Sequence, residues 1–355
     1  MKRFLVGASG AEKLCTLGAM GRFCAAPTLL RWLWCKSLWR ISGVAAMLLC
    51  LVVVSPEVAG RGAAAGRLDP GVHEVTLDGV RFAYFVAGRG PLLIVQCPGW
   101  GIGSEYLRNG LAPLQQNFTM VFYDTRGSGD SSRPQDASTI RVSQFAEDLE
   151  RLRQYWGLQK LRLLGHSWGG GIALAYALRH PQHTGALVLV DSSIPGFDYS
   201  EIHITLHDQW IAAKGDSRLS AAMTSMEADE PVHTDEEFKA KLHRNLPYYF
   251  FDPVAGPDRF WQTYHGTPAA WTWNAWHANF DKDEEQLLNG KRPDSIRVPT
   301  LIIYGREDRI CPVVMAWRLH TWIDRSTLRI LDDSGHLPWI ETPTPFFAAV
   351  VGFLR

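Results

Sequence analysis

The chain has 355 residues, 46% of them hydrophobic, with 36 Lys+Arg balanced by 36 Asp+Glu for a net charge of zero. Such a length and apolar content can build a sizeable core, and they exclude wholesale disorder and a polytopic membrane protein. The charge balance leaves no field of one sign for nucleic acid, and no basic stripe with interleaved aromatics offers one, so no nucleic-acid partner is expected.

Residues 1–66 read as a signal- or anchor-like leader. The uncharged run Gly43–Val54 follows Arg22, Arg31, Lys36 and Arg40 and precedes Ser55-Pro56, the grammar of a secretory signal. Membrane association through residues 43–54, or export to the periplasm or medium, is therefore the expectation. The cytoplasm is the alternative if translation begins later, with Met20 available. Four of the six cysteines lie in this leader, leaving Cys97 and Cys311 in the body as small buried hydrophobes rather than a bridge.

From Gly71 onward, strand-like and helical runs alternate. Val75–Leu77 and Val80–Val86 read as a hairpin around Asp78-Gly79. Leu92–Gln96, Thr119–Tyr123, Leu161–Leu164, Ala186–Val190, Thr300–Tyr304 and Thr327–Leu331 are short apolar runs suited to strands buried on both faces of a mostly parallel sheet. Helical stretches sit between them, such as Val142–Trp156 with Phe145, Leu149 and Leu152 on one face. The pattern predicts an α/β fold: a core in two halves, 67–195 and 293–355, flanked by helices. Residues 196–292, polar and rich in tryptophan, read as a helical insertion between two strands.

The strongest local signal is Gly165-His166-Ser167-Trp168-Gly169, where a strand runs into G-x-S-x-G and a helix follows at once. This is the context of a nucleophile elbow, which lifts a serine hydroxyl above the sheet. A serine needs a base, and the base needs a carboxylate to hold its tautomer. Asp308 and His336 both follow predicted strands, so they fall on the same edge of the sheet as Ser167; Glu307 and Asp191 are the competing acids. The Trp168 N–H points to where an oxyanion would form. Gly99 or Trp100, in the loop after Leu92–Gln96, would supply a second donor. No metal-ligand cluster accompanies these residues, and no metal or organic cofactor is implied.

Together with Asp124-Thr125-Arg126-Gly127-Ser128-Gly129, these motifs resemble the α/β-hydrolase family. Within it, Gly165-His166-Ser167-Trp168-Gly169-Gly170 and Gly335-His336-Leu337-Pro338-Trp339 are similar to the prolyl-aminopeptidase-like (proline iminopeptidase-like) branch. The resemblance covers roughly 71–195 and 299–355. It implies that the insertion is a cap over the active site and that Asp124 and Arg126 brace a loop. Relatives commonly carry His-Gly-Gly-Pro-Gly where this chain has Cys97-Pro98-Gly99-Trp100-Gly101, so bulky Trp100 narrows the approach. Acidic cap residues hold the substrate amine in aminopeptidases of this branch, and Glu227, Asp229, Glu230, Glu236 and Glu237 are available.

The expected protein is a serine hydrolase with Ser167, His336 and Asp308 as its triad. Trp100, Trp339, Trp271 and Trp273 would line an apolar pocket. Its partner would be a small-molecule ester or a short peptide, with N-terminal proline as one candidate. Carboxylesterase, lactonase or carbon–carbon bond hydrolase chemistry is the alternative, and a ligand-binding protein with a vestigial triad is the alternative of another class.

Overall fold

The hairpin expected at Asp78-Gly79 opens the fold. β1 (Gly71–Leu77) and β2 (Val80–Gly88) pair antiparallel with Leu77 opposite Val80. Both turn residues sit at positive φ, 47° and 77°, in a two-residue turn whose twist matches its strands. The remaining runs become β3 (Leu92–Gln96), β4 (Thr119–Tyr123), β5 (Leu161–His166), β6 (Thr184–Val190), β7 (Thr300–Gly305) and β8 (Ser326–Leu331). This computed structural model describes residues 66–197, 209, 212, 215–228, 231–287 and 292–355. Among them the strands form one sheet in the order β1-β2-β4-β3-β5-β6-β7-β8. β2 runs antiparallel to both its neighbours, and all pairs from β4 to β8 are parallel.

The helices in chain order are α1 (Glu105–Gly110), α2 (Val142–Tyr155), α3 (Trp168–Arg179), α4 (Ser217–Glu227), α5 (Asp235–Asn245), α6 (Ala255–Thr263), α7 (Ala270–Leu287), α8 (Val313–Trp322), α9 (Pro338–Glu341) and α10 (Pro343–Leu354). Because successive strand residues point to opposite faces, the sheet feeds two cores. Ile94, Leu163, Leu187 and Ile302 pack with Phe145 and Leu149 of α2 and Ile172 of α3. Leu93, Leu164, Val188 and Ile303 pack with Phe346 and Val350 of α10. A strand covered on both faces has to be apolar throughout, which is why these runs show no polar alternation.

Chain connections reverse direction at β3, which has β4 on one side and β5 on the other. A crevice opens at the carboxyl ends of strands where such a reversal occurs. The loop 97–104 after β3 and the β5–α3 turn both lie at that edge. Asp124, just after β4, accepts the Ser104 N–H at 2.6 Å and the Asp130 N–H at 2.9 Å. Arg126 donates Nε and Nη2 to the two oxygens of Asp148 at 2.6 and 2.5 Å, with both side chains buried. These contacts fasten the 124–130 loop to α2 and to the loop after β3. Removing one partner of a buried ion pair leaves the other charge uncompensated, so Asp148→Ala is expected to cost about 3–5 kcal/mol. A urea midpoint unchanged from that of the parent chain would contradict this.

Between β6 and β7 the described residues include helices α4, α5, α6 and α7. Asp216 accepts the Arg218 N–H at the start of α4, and Thr234 accepts the Glu237 N–H at the start of α5, relieving the unpaired donors of each first turn. The insertion is tied to the carboxyl edge of the sheet by the Ala269 N–H, 2.8 Å from the Gly101 carbonyl. Thr272 Oγ1 adds a bond to the Gly127 carbonyl, and the Trp276 ring stacks on Phe145. Trp210, one of the tryptophans that mark the insertion in the sequence, lies outside the described residues.

The expected location is corrected. Among the described residues no helix is long and apolar enough to cross a membrane. A helical span needs about twenty apolar residues, and residues 43–54, on which the expectation of an anchor or export signal rested, lie outside the described residues.

Candidate active site

Ser167 occupies the turn between β5 and α3 at φ 56° and ψ −127°, a conformation that costs a residue with a Cβ about 1–3 kcal/mol and persists only where its surroundings enforce it. Those surroundings are glycines. A Cβ on Gly165 would stand 2.4 Å from the Gly169 carbonyl oxygen, and one on Gly169 would stand 2.2 Å from the Gln96 carbonyl oxygen. The strand, the helix and the β3 exit therefore touch backbone to backbone. Ser167 is further pinned by its N–H to the Val190 carbonyl at 3.0 Å and by its own carbonyl, which accepts the Gly170 N–H at 2.9 Å. As the first residue of α3, Trp168 has an N–H with no acceptor inside the helix, and the positive end of the helix dipole lies there. Its indole packs away from the turn, against Trp276 and Phe280.

His336 follows β8 and is fully buried. Its Nδ1 lies 2.8 Å from Asp308 Oδ2. Asp308 Oδ1 accepts the Ile310 and Cys311 N–H groups at 2.8 and 2.9 Å, which fixes the carboxylate plane. Since the carboxylate accepts, Nδ1 carries the proton and Nε2 is left as the basic nitrogen. Among the described residues Nε2 has no hydrogen-bond partner. Of the competing acids, Glu307 is turned to the Ser334 N–H at 3.0 Å. Asp191 is at φ 43° and accepts the Gly305 N–H at 2.8 Å. Burial, then the nearby Asp308 charge, pushes the Asp191 carboxyl well above the usual range.

One cavity brings these groups together. Ser167 and His336 line it with Trp100, and its volume is about 30 Å³, room for a single water. The rest of its wall is mostly apolar, with Leu242, Leu246 and Phe260 from the insertion, and no Asp or Glu lines it among the described residues. Gly99 sits beside this cavity at φ 85°, where a Cβ would press to 2.6 Å from the Phe145 ring. The Gly101 N–H is already donated to Ser128 Oγ at 3.2 Å.

The four tryptophans expected at the pocket divide. Trp100 lines the cavity, while Trp273 stands behind it, edge-on at 5.6 Å. Trp271 is turned to Arg133, and Trp339 is buried against His166 and Phe346, so neither lines the cavity. Both are placed by packing rather than by their nearness in sequence to the site. Among the acidic residues proposed to hold an amine, Glu237 is spent on the start of α5, where it accepts the His233 N–H at 2.7 Å. Asp229 and Glu230, and the side chain of Glu227, lie outside the described residues. Sequence reasoning missed Leu242 and Leu246, whose i, i+4 spacing was a usable signal, and Tyr106 and Phe260, which carried none; Tyr249, in the aromatic run 248–251 of the insertion, also lines the cavity.

Both body cysteines are free and buried. Burial pushes the Cys97 thiol up to about 12 and that of Cys311 well above its usual value, so neither is a thiolate nucleophile. Two trios among the described residues have ligand-capable atoms within 4.8 Å of one another: Glu150, His180 and His183, and Asp308, Cys311 and His336. In the first, Glu150 is already held by Arg153, Tyr176 and Gln154. In the second, the His336 and Asp308 side chains are bonded to each other.

The family description "alpha/beta hydrolase fold" matches residues 93–343. Proline iminopeptidase of Heyndrickxia coagulans is 27% identical over 293 residues, covering 80% of this chain and 98% of that protein. The 2-hydroxymuconate semialdehyde hydrolase of Pseudomonas sp. (strain CF600) is 26% identical, covering 79% and 93%. Among solved structures, an alpha/beta fold family hydrolase from Bacillus anthracis str. Sterne superposes with a TM-score of 0.64 at 20% identity, covering 79% of this chain and 98% of that one.

Proposed function

Because the chain belongs to the alpha/beta hydrolase fold family, we propose that it is a serine hydrolase that cleaves small esters or amides through an acyl-enzyme. The observation that carries this reading is Ser167 on its enforced turn, sharing a cavity with a His336 whose Nδ1 is held 2.8 Å from Asp308. Ser167 Oγ attacks the carbonyl carbon while His336 Nε2 takes its proton. The same proton passes to the leaving amine or alcohol as the tetrahedral intermediate collapses, and water then releases the acid by the reverse path. The N–H groups of Trp168 and Gly99 take the oxyanion, a donor of this kind being worth about 3–4 kcal/mol. In this reading the helices of the insertion act as a cap. Leu242, Leu246 and Phe260 roof the nucleophile.

Two substrate arms follow. The proline iminopeptidase relative supports an N-terminal proline amide. The absence of a carboxylate from the described cavity wall favours a neutral ester or ketone carbonyl, because a buried ammonium needs a partner of opposite charge. Incubating the full-length chain with a prolyl arylamide and with short aryl esters, with Ser167→Ala as the blank, separates the arms. Ser167-dependent ester cleavage without arylamide cleavage is the expected result; arylamide turnover would establish an aminopeptidase; cleavage of neither would end the acyl-hydrolase reading.

A further inference from the structure

His166, the variable residue of the G-x-S-x-G turn, is 3% exposed and makes two side-chain hydrogen bonds. Its Nε2 is 2.9 Å from the backbone carbonyl of His336, and its Nδ1 is 2.9 Å from the Tyr106 hydroxyl. A carbonyl can only accept, so Nε2 carries the proton. Nδ1 is then an acceptor, and the Tyr106 hydroxyl donates to it. Burial, then the neighbouring His336, holds the His166 ring well below the usual histidine range, and burial holds the Tyr106 phenol well above its own; both shifts favour the neutral forms that this chain of bonds requires. The rings of His166 and His336 are 4.7 Å apart, and Trp339 closes the far side of His166 at 4.7 Å, edge-on. The His336 backbone is also held from the other direction, its N–H donating to the Tyr249 carbonyl at 2.7 Å.

We propose that His166 and Tyr106 are positioning residues that hold the His336 backbone in register with Ser167, and that this bond chain locks three loops together. Tyr106 stands on α1, directly after the loop that carries Gly99; His166 is adjacent to Ser167; the accepting carbonyl belongs to His336 itself. The inference rests on the serine-hydrolase reading above. It assigns His166 no proton transfer. The ring lines the same cavity as Ser167 and acts on His336 through the carbonyl it grips, so losing the grip lets His336 Nε2 drift from Ser167, and a displacement of about 1 Å is enough to cost two orders of magnitude in rate.

The test uses the full-length chain, an ester or arylamide that it cleaves, and a fluorophosphonate that labels the nucleophile. Tyr106→Phe removes one oxygen and is expected to lower kcat about tenfold with KM within twofold, the worth of one neutral hydrogen bond. His166→Leu is expected to lower kcat about 100-fold. In both variants the phosphonylation rate falls by a similar factor while the thermal midpoint of Tyr106→Phe stays near that of the parent. His166→Gln, whose amide can still donate to the carbonyl, recovers most of the loss. Unchanged kcat and phosphonylation in Tyr106→Phe and His166→Leu overturns the proposal, as does a loss confined to KM. Should His166→Leu fail to fold, Tyr106→Phe and His166→Gln decide the question alone. A parent chain that is neither labelled nor active overturns the hydrolase reading, and with it this inference.

Discussion

Replacing Ser167 with Ala is expected to lower kcat by about five to six orders of magnitude while leaving the thermal midpoint within about 2 °C. The fold tolerates the change for local reasons. Alanine and serine both carry a Cβ, so the strain at φ 56° is the same in the two. What holds the turn is backbone: the Ser167 N–H to Val190, the Gly170 N–H to the Ser167 carbonyl, and the glycine contacts beneath it. Only the oxygen is lost, and with it the covalent route. The residual rate would come from the Trp168 and Gly99 N–H groups polarising a carbonyl toward water. Steady-state turnover, with active-site titration of the parent by a fluorophosphonate, measures the ratio. A Ser167→Ala chain that keeps more than a few per cent of the parental kcat would remove the serine from the mechanism.

Asp308→Asn is the second large effect, expected at about 10⁴-fold in kcat. Asparagine fits the same space, and its oxygen can still accept the Ile310 and Cys311 N–H groups that Asp308 Oδ1 accepts now. Its amide nitrogen is then left facing His336 Nδ1. A donor in that position forces the proton of the neutral ring onto Nε2, the atom that must accept from Ser167, and it withdraws the charge that stabilises the imidazolium. The paired control is Asp191→Asn. Burial and the Asp308 charge push that carboxyl well above the usual range, and it accepts the Gly305 N–H through one oxygen, a contact asparagine can reproduce. Its kcat is expected to stay within severalfold of the parent. A reversed pattern, with Asp191→Asn crippled and Asp308→Asn active, would move the acid to β6.

These expectations draw unequally on sequence and structure. Every predicted strand exists, most of them extended by a residue or two and β1 by four. A fully buried run announces itself by composition alone: Leu92–Gln96 or Thr300–Gly305 can sit only where both faces are covered. The half-exposed β1 was marked instead by its Asp78-Gly79 turn. The break in that alternation falls where α4 to α7 lie, but the surface of that segment was not legible from it. Trp271, Trp273 and Trp339 were expected at the pocket for their size, and the structure turns them to Arg133, to Trp100 and to His166 instead. An aromatic side chain buries equally well in a wall, behind a wall or in a core, and nothing local distinguishes the three.

What the sequence by itself determined is the sheet, the strained turn at Ser167, and the placing of Asp308 and His336 on the edge that turn shares. Each of these depends on residues adjacent in the chain, where strand, turn and helix preferences act over a few bonds. Only the tertiary structure decided that Asp308, rather than Asp191 or Glu307, bonds His336, that Leu242, Leu246 and Phe260 line one cavity with Ser167, and that His166 bonds both Tyr106 and the carbonyl of His336. Those are meetings between segments 28 to 170 positions apart, set by how whole helices and loops bury their apolar faces together, and no local pattern encodes which distant partner packing will supply.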